Sequence, residues 1–142
     1  MAIAERVRVV ARPALCRDCQ ACTLGCSLYH EGQSRPSTAR LRVVRHQADH
    51  TFEIIVCRQC PDPACLPACP VDAMALKAGV VHIDPVLCVL CGACAEACPH
   101  GAIFHHEALG RYLKCDLCGE RDGGALCVEL CPVGALLLET GG

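Results

Sequence analysis

Sixteen cysteines fall into four groups of four, and their spacing is the chemically informative feature of this chain. The densest group is Cys88, Cys91, Cys94 and Cys98, in the run C-V-L-C-G-A-C-A-E-A-C-P. Gaps of two residues let three thiolates converge from a single turn on one iron–sulfur cubane. A three-residue gap carries the fourth cysteine a helical step away, where it points elsewhere. A lone C-x2-C is shared by zinc sites and redox motifs. Four cysteines in this order, closed by Cys-Pro, are a far more specific signal for a [4Fe–4S] cluster.

The same grammar occurs four times. Motif I is Cys16, Cys19, Cys22 and Cys26, with Ser27 where proline would be expected. Motif II is Cys57, Cys60, Cys65 and Cys69, then Pro70; motif III is the run above; motif IV is Cys115, Cys118, Cys127 and Cys131, then Pro132. No cysteine is left over, and four thiolates per cubane give four [4Fe–4S] clusters, with all sixteen cysteines as metal ligands. Structural zinc also takes four thiolates, but it gives no reason for the third C-x2-C step or the repeated Cys-Pro. No nucleophile–base pair or phosphate loop stands out, so no residue is assigned a catalytic role.

Short elements must position these cysteines. Cys-Pro-x-x-Ala recurs at Cys69–Ala73, Cys98–Ala102 and Cys131–Ala135, each followed by a strand-like run. Proline ends the cysteine-bearing helix and the chain turns into a strand, a small unit used repeatedly. Strands are predicted at Arg6–Val10, Leu41–Arg45, Thr51–Val56, Met74–Leu76, Val80–Ile83, Ala102–His105, Tyr112–Lys114 and Ala135–Leu138. Hairpins are predicted through Ala48-Asp49 and Ala78-Gly79. Cys22–Tyr29 reads as a short helix and Gly32–Thr38 as a loop, and Asp122-Gly123-Gly124 as a loop inside motif IV. Pro61, Pro63 and Pro67 keep the motif II helix short. The fold class is α+β.

Composition narrows the setting. The hydrophobic fraction is 53%, but it is inflated by sixteen cysteines; the aromatics are Tyr29, Phe52, Phe104 and Tyr112, and tryptophan is absent. Little bulky side chain is left to bury, so the clusters should form much of the core and folding should depend on them. The segment Met1–Pro13 carries Glu5, Arg6, Arg8 and Arg12 and no apolar signal-type run. With no apolar stretch of transmembrane length, a cytoplasmic location and no direct membrane insertion are expected. In reducing cytosol, dense cysteine favours metal over disulfide. Residues 1–60 hold nine arginines against five acids, and the remainder holds four basic residues against ten acids. The basic half either compensates cluster charge and is solvated, or offers Arg17, Arg40, Arg42, Arg45 and Arg58 as a docking face. The net charge of −2 and the scarcity of aromatics argue against a nucleic-acid partner. The seven histidines read as surface or hydrogen-bonding residues. His100, Lys114 and Arg58 adjoin ligand cysteines, where packing and tuning of a cluster are both open.

These motifs resemble the four-cluster, ferredoxin-like electron-transfer subunits of multi-subunit oxidoreductases. The marks are C-R-D-C-Q-A-C-T-L-G-C-S, C-R-Q-C-P-D-P-A-C, C-V-L-C-G-A-C-A-E-A-C-P, K-C-D-L-C and C-V-E-L-C-P, spanning nearly all of Cys16 to Leu138. The opening motif and C-S-L-Y-H-E-G look most like the small subunit beside tungsten aldehyde oxidoreductases. The resemblance implies two pseudo-symmetric two-cluster modules, one at 57–104 inserted into a second made of 1–56 plus 105–142. It also implies that the fourth cysteine of each motif crosses to the other cluster of its module. The ligand sets are then Cys16, Cys19, Cys22 with Cys131; Cys57, Cys60, Cys65 with Cys98; Cys88, Cys91, Cys94 with Cys69; and Cys115, Cys118, Cys127 with Cys26. The implied function is relay of single electrons between a large tungsten or molybdenum pterin subunit and a further flavin-bearing or ferredoxin partner. The alternatives are a subunit of a hydrogenase, carbon monoxide dehydrogenase or other molybdopterin enzyme, and a freely diffusing polyferredoxin.

Overall fold

The computed structural model describes residues 7–60, 63–77, 80–118 and 124–140. Among the described residues, eight short strands form four separate two-stranded antiparallel sheets. They are β1 (Val7–Ala11) with β8 (Leu136–Thr140), β2 (Leu41–His46) with β3 (Thr51–Val56), β4 (Met74–Lys77) with β5 (Val80–Ile83), and β6 (Phe104–His106) with β7 (Arg111–Leu113). Four helices lie between them: α1 (Ala21–Glu31), α2 (Cys65–Ala68), α3 (Ala93–Ala97) and α4 (Leu126–Leu130). A single 3-10 turn, Pro36–Thr38, interrupts the expected loop after α1. The expected turn at Ala78-Gly79, Pro61, and Asp122-Gly123 of the motif IV loop lie outside the described residues, as does Met1–Arg6.

The helix lengths follow from one residue. In α2, α3 and α4 the residue after the last helical position is the fourth cysteine of its motif, and proline follows it. A residue before proline is pushed out of the helical region. Cys69, Cys98 and Cys131 accordingly share one extended conformation, with ψ of 119°, 115° and 112°. Motif I has Ser27 instead, so α1 runs through Cys26 and ends only at Gly32, whose left-handed backbone donates its N–H to the Leu28 carbonyl. The Ser27 hydroxyl is buried and bonded to the carbonyls of Thr23 and Leu24. The helix is therefore longer than the predicted Cys22–Tyr29.

Two apolar cores result. One gathers Val9, Leu41, Val56, Leu117 and Leu136 with Cys26 and Cys127, from both chain ends and the β2–β3 hairpin. The other gathers Met74, Val81 and Ile103 with Cys65 and Cys94. Helix α1 packs on α4 over the first, and α2 on α3 over the second. At the α1–α4 crossing Gly25 faces the Leu130 side chain so closely that a Cβ at Gly25 would overlap Leu130 Cδ1. β1 and β8 are joined by the register pair Arg8–Glu139, whose side chains form a 2.6 Å ion pair.

Candidate iron–sulfur centres

Each motif begins with the same backbone device. The residue two positions after the first cysteine has positive φ in all four: Asp18 at 57°, Gln59 at 46°, Leu90 at 60° and Leu117 at 60°. Non-glycine residues rarely hold this left-handed conformation. Here it curls the C-x2-C segment so that its amide turns back on the sulfur. The N–H groups of Asp18, Gln59 and Leu117 lie 3.4, 3.5 and 3.4 Å from the Sγ of Cys16, Cys57 and Cys115.

The fourth cysteines use a different donor. In Cys-Pro-x-x-Ala the alanine N–H points at the cysteine four residues earlier, at 3.2 Å for Ala73 to Cys69, 3.5 Å for Ala102 to Cys98 and 3.2 Å for Ala135 to Cys131. All three alanines are buried. The repeated tetrad thus carries two requirements: proline frees the cysteine from the helix, and a small residue lets the following amide approach sulfur. Cys26 lacks the tetrad and takes its N–H from Arg40, 14 residues on, at 3.2 Å.

The structure brings the cysteines together across motifs. One cavity is lined by Cys57, Cys60, Cys65 and Cys98, another by Cys69, Cys88, Cys91 and Cys94. The walls between them are largely apolar, with Val81, Ile103 and Lys114 on the first and Met74, Ile83 and Tyr112 on the second. For the remaining motifs, the Cys22 thiol lies within electrostatic reach of Cys131, Cys16 and Cys19. The Cys127 thiol lies within reach of Cys115, Cys26 and Cys118. All sixteen cysteines are free of disulfides. Groups of soft sulfur donors in apolar walls, with amides aimed at sulfur, are the donor set that iron–sulfur clusters require.

Electrostatics separate the thiols. Burial pushes Cys22 up to about 11 and Cys115 up to about 12, and raises Cys127, Cys65 and Cys94 as well. The Val71 amide lowers Cys69. For Cys131 burial acts upward, but the amides of Val133 and Ala135 outweigh it. Iron must displace a proton from each buried thiol, so loading releases protons.

Several residues that hold these sites escaped the sequence reading. His30 is nearly buried; its Nε2 lies 3.0 Å from Asp116 Oδ1, and its Nδ1 lies 3.0 Å from the Cys26 carbonyl and 3.6 Å from Cys26 Sγ. Gln59 is buried and donates from Nε2 to the Cys115 carbonyl at 2.9 Å. The arginines of the expected docking face divide: Arg17 and Arg58 are exposed, and the other three have partners within the chain. Arg40 pairs with Asp116 and donates to the Lys114 carbonyl, Arg42 lies over the Phe104 ring at 4.6 Å, and Arg45 is bonded to Asp18. Alternation along a strand sends Arg42 and Arg45 to opposite faces, and Arg45 stays largely exposed beside Asp18.

Residues 48–140 match the family model described as a 4Fe–4S dicluster domain. The chain belongs to the 4Fe–4S dicluster domain family. The match contains motifs II, III and IV, and motif I lies before it. The chain is 35% identical to a putative electron transport protein, YsaA, of Escherichia coli strain K12, over 90% of this chain and 86% of that protein. It is 37% identical to the polyferredoxin-like subunit of an aliphatic sulfonate oxidoreductase of Pyrococcus furiosus, over 91% of this chain and 73% of the subunit. Among solved structures, a chain of the active-site complex BamBC of benzoyl coenzyme A reductase matches 97% of this chain and 78% of its own length. Its TM-score of 0.60 at 23% identity establishes a shared fold. No described helix is long and apolar enough to cross a membrane.

Proposed function

We propose that this dicluster-domain protein is an electron relay built on four [4Fe–4S] clusters with crossed ligand sets. A cluster held by four thiolates supplies one-electron exchange. The observation that carries the reading is the pair of cavities, each lined by three cysteines of one motif and the fourth of the other. They correspond to Cys57, Cys60, Cys65 with Cys98, and to Cys88, Cys91, Cys94 with Cys69. Electrostatic proximity supports Cys16, Cys19, Cys22 with Cys131, and Cys115, Cys118, Cys127 with Cys26. The two apolar cores and the two helix pairs support a module at 57–104 inserted into one made of 1–56 and 105–142.

Electrostatic proximity between sets supports a linear order. Cys94 is within reach of Cys65, Cys115 of Cys57, and Cys127 of Cys22. The series then runs from the Cys91 set through the Cys57 set and the Cys115 set to the Cys19 set. Cys91 and Cys19 are the exposed cysteines, and of the six buried ones Cys26, Cys57, Cys65, Cys118 and Cys127 belong to the two middle sets, with Cys94 alone in an end set. A relay wants this distribution: ends open to partners, middle shielded from water. At one end Val86, Leu87, Val89 and Leu90 are exposed around the Cys88–Cys91 turn, an apolar surface suited to a protein partner.

The partner reading follows from the relatives. Proteins named as an electron transport protein and as a polyferredoxin-like oxidoreductase subunit support a subunit role without catalysis of its own. With the resemblance in the opening motif, this favours a large tungsten or molybdenum pterin subunit at one end of the series and a flavin-bearing or ferredoxin carrier at the other.

The test is metal content and cluster assignment. Anaerobic holoprotein should hold about 16 iron per chain and no stoichiometric zinc. Cys131→Ala should perturb the resonance of the cluster held by Cys16, Cys19 and Cys22 while sparing that of Cys115, Cys118 and Cys127. Perturbation of the second alone would sink the crossed assignment. Isolation from the native source with a large pterin-bearing chain supports the relay subunit; a monomer in native extract supports a diffusing polyferredoxin.

A further inference from the structure

Lys114 sits where the two cores meet. Its side chain is buried, at 5% exposure. Nζ donates to the Val81 carbonyl in β5 at 2.8 Å and to the Cys115 carbonyl at 3.1 Å. It also lines the cavity of Cys57, Cys60, Cys65 and Cys98. An ammonium carries three donors, and only two are met by protein among the described residues. No carboxylate lies within ion-pair distance of it among those residues; Asp116, the nearest acid in sequence, is taken by His30 and Arg40.

A buried charge is costly unless an opposite charge compensates it. The groups able to carry negative charge beside it are the cysteines of the cavity that it lines, Cys57, Cys60, Cys65 and Cys98. A thiolate-ligated cluster in that cavity is the anion the geometry offers to Lys114, which also bonds the Cys115 carbonyl and so stands at the junction between the second and third sets of the series. Gln59 reaches the same Cys115 carbonyl from motif II, so two side chains clamp this junction and one of them is charged.

We propose that Lys114 raises the reduction potential of the cluster held by Cys57, Cys60, Cys65 and Cys98, fixing an energy step between the two modules. The argument rests on the ligand sets proposed above. Reduction adds one electron and no proton, so the reduced cluster carries one more negative charge. A fixed cation beside it favours that state, and its effect is largest where water is excluded.

The test is an anaerobic potentiometric titration followed by electron paramagnetic resonance on wild-type holoprotein, Lys114→Gln, Lys114→Met and Lys114→Arg, each with its iron counted. His100→Lys, on the rim of the same cavity, marks which resonance belongs to that cluster by shifting it upward. The neutral variants should make the marked cluster about tenfold harder to reduce, roughly 59 mV for one electron. The two clusters at the ends of the series should hold, and Lys114→Arg should keep the wild-type value. Fully loaded neutral variants with no midpoint moved, or with all four moved alike, would overturn the proposal. If the neutral variants lose a cluster, restoration by Lys114→Arg supports the charge and failure of arginine to restore it refutes it. An iron content far below four clusters in the wild type would instead defeat the relay reading, and so separates the two failures.

Discussion

Asp116, beside the ligand Cys115, shows how single side chains hold the motifs in register. Burial pushes its carboxyl up, but the His30 ring and the Arg40 guanidinium more than reverse this and leave it well below the usual carboxylate range. His30 in turn feels burial downward, and Asp116 and Cys26 lift it to about 9. The pair ties α1 to motif IV across 86 residues. His30→Ala would strip a partner from Asp116, which keeps Arg40 and the Cys118 amide. A cost of about 2 kcal/mol is expected, less than for an unshared buried pair. Anaerobic denaturation of the holoprotein measures it, and an unmoved midpoint would show that the contact does not hold the fold. Half of this was readable in advance. His30 follows Cys26 by four residues and so shares its helix face. Its partner lies in another motif, and no local pattern announces that. The left-handed residues were nearly as silent, because Gln59, Leu90 and Leu117 are not side chains that signal positive φ and only Asp18 is of a type enriched there.

Among elements, proline after the fourth cysteine separates three short helices from one long one. This was legible, since Cys-Pro-x-x-Ala appears three times and Cys-Ser once. The strands were legible as alternating runs, with ends displaced by a residue or two. The pairing of β1 with β8 was not, because partners at opposite ends of a chain are chosen by the core they cover rather than by either strand. Gly25 belongs at this scale too. It lets α1 settle on α4, and in the proposed ligand sets Cys127 and the following Cys131 would then face Cys26 and Cys22. Gly25→Val should cost about 1–3 kcal/mol by overpacking against Leu130. Leu130→Ala in the same chain should return part of that, because the clash is with the leucine's flexible end. A double-mutant cycle read by thermal loss of the cluster absorption checks it. Additive effects would mean that the glycine serves something other than this contact.

The molecule as a whole has little apolar mass to hold it. Its largest fully buried side chains are Leu41, Leu113, Leu136, Val9, Thr23 and Ser27. Four two-stranded sheets are each marginal alone in water, and both cores count cysteines among their buried members. The buried thiols lie close together in groups, so packing them without iron gains little while the chain still loses its conformational entropy. In the proposed ligand sets each cluster would instead link cysteines far apart in sequence, 16 to 131 at the extreme, a cross-link that favours the compact state as metal sites in small domains do. Removing iron anaerobically with acid and chelator should therefore abolish the cooperative thermal transition and the strand signal of circular dichroism together. Rebuilding the clusters from ferrous iron and sulfide should restore both. Partial loading discriminates further. If two modules exist, a chain carrying only the Cys57–Cys98 and Cys88–Cys69 clusters should keep protection from hydrogen exchange in β4 and β5. It should lose that protection in β1, β2 and β8. Uniform protection in both regions, or a cooperative melt of the iron-free chain, would mean that the polypeptide carries its own fold and the clusters are guests in it.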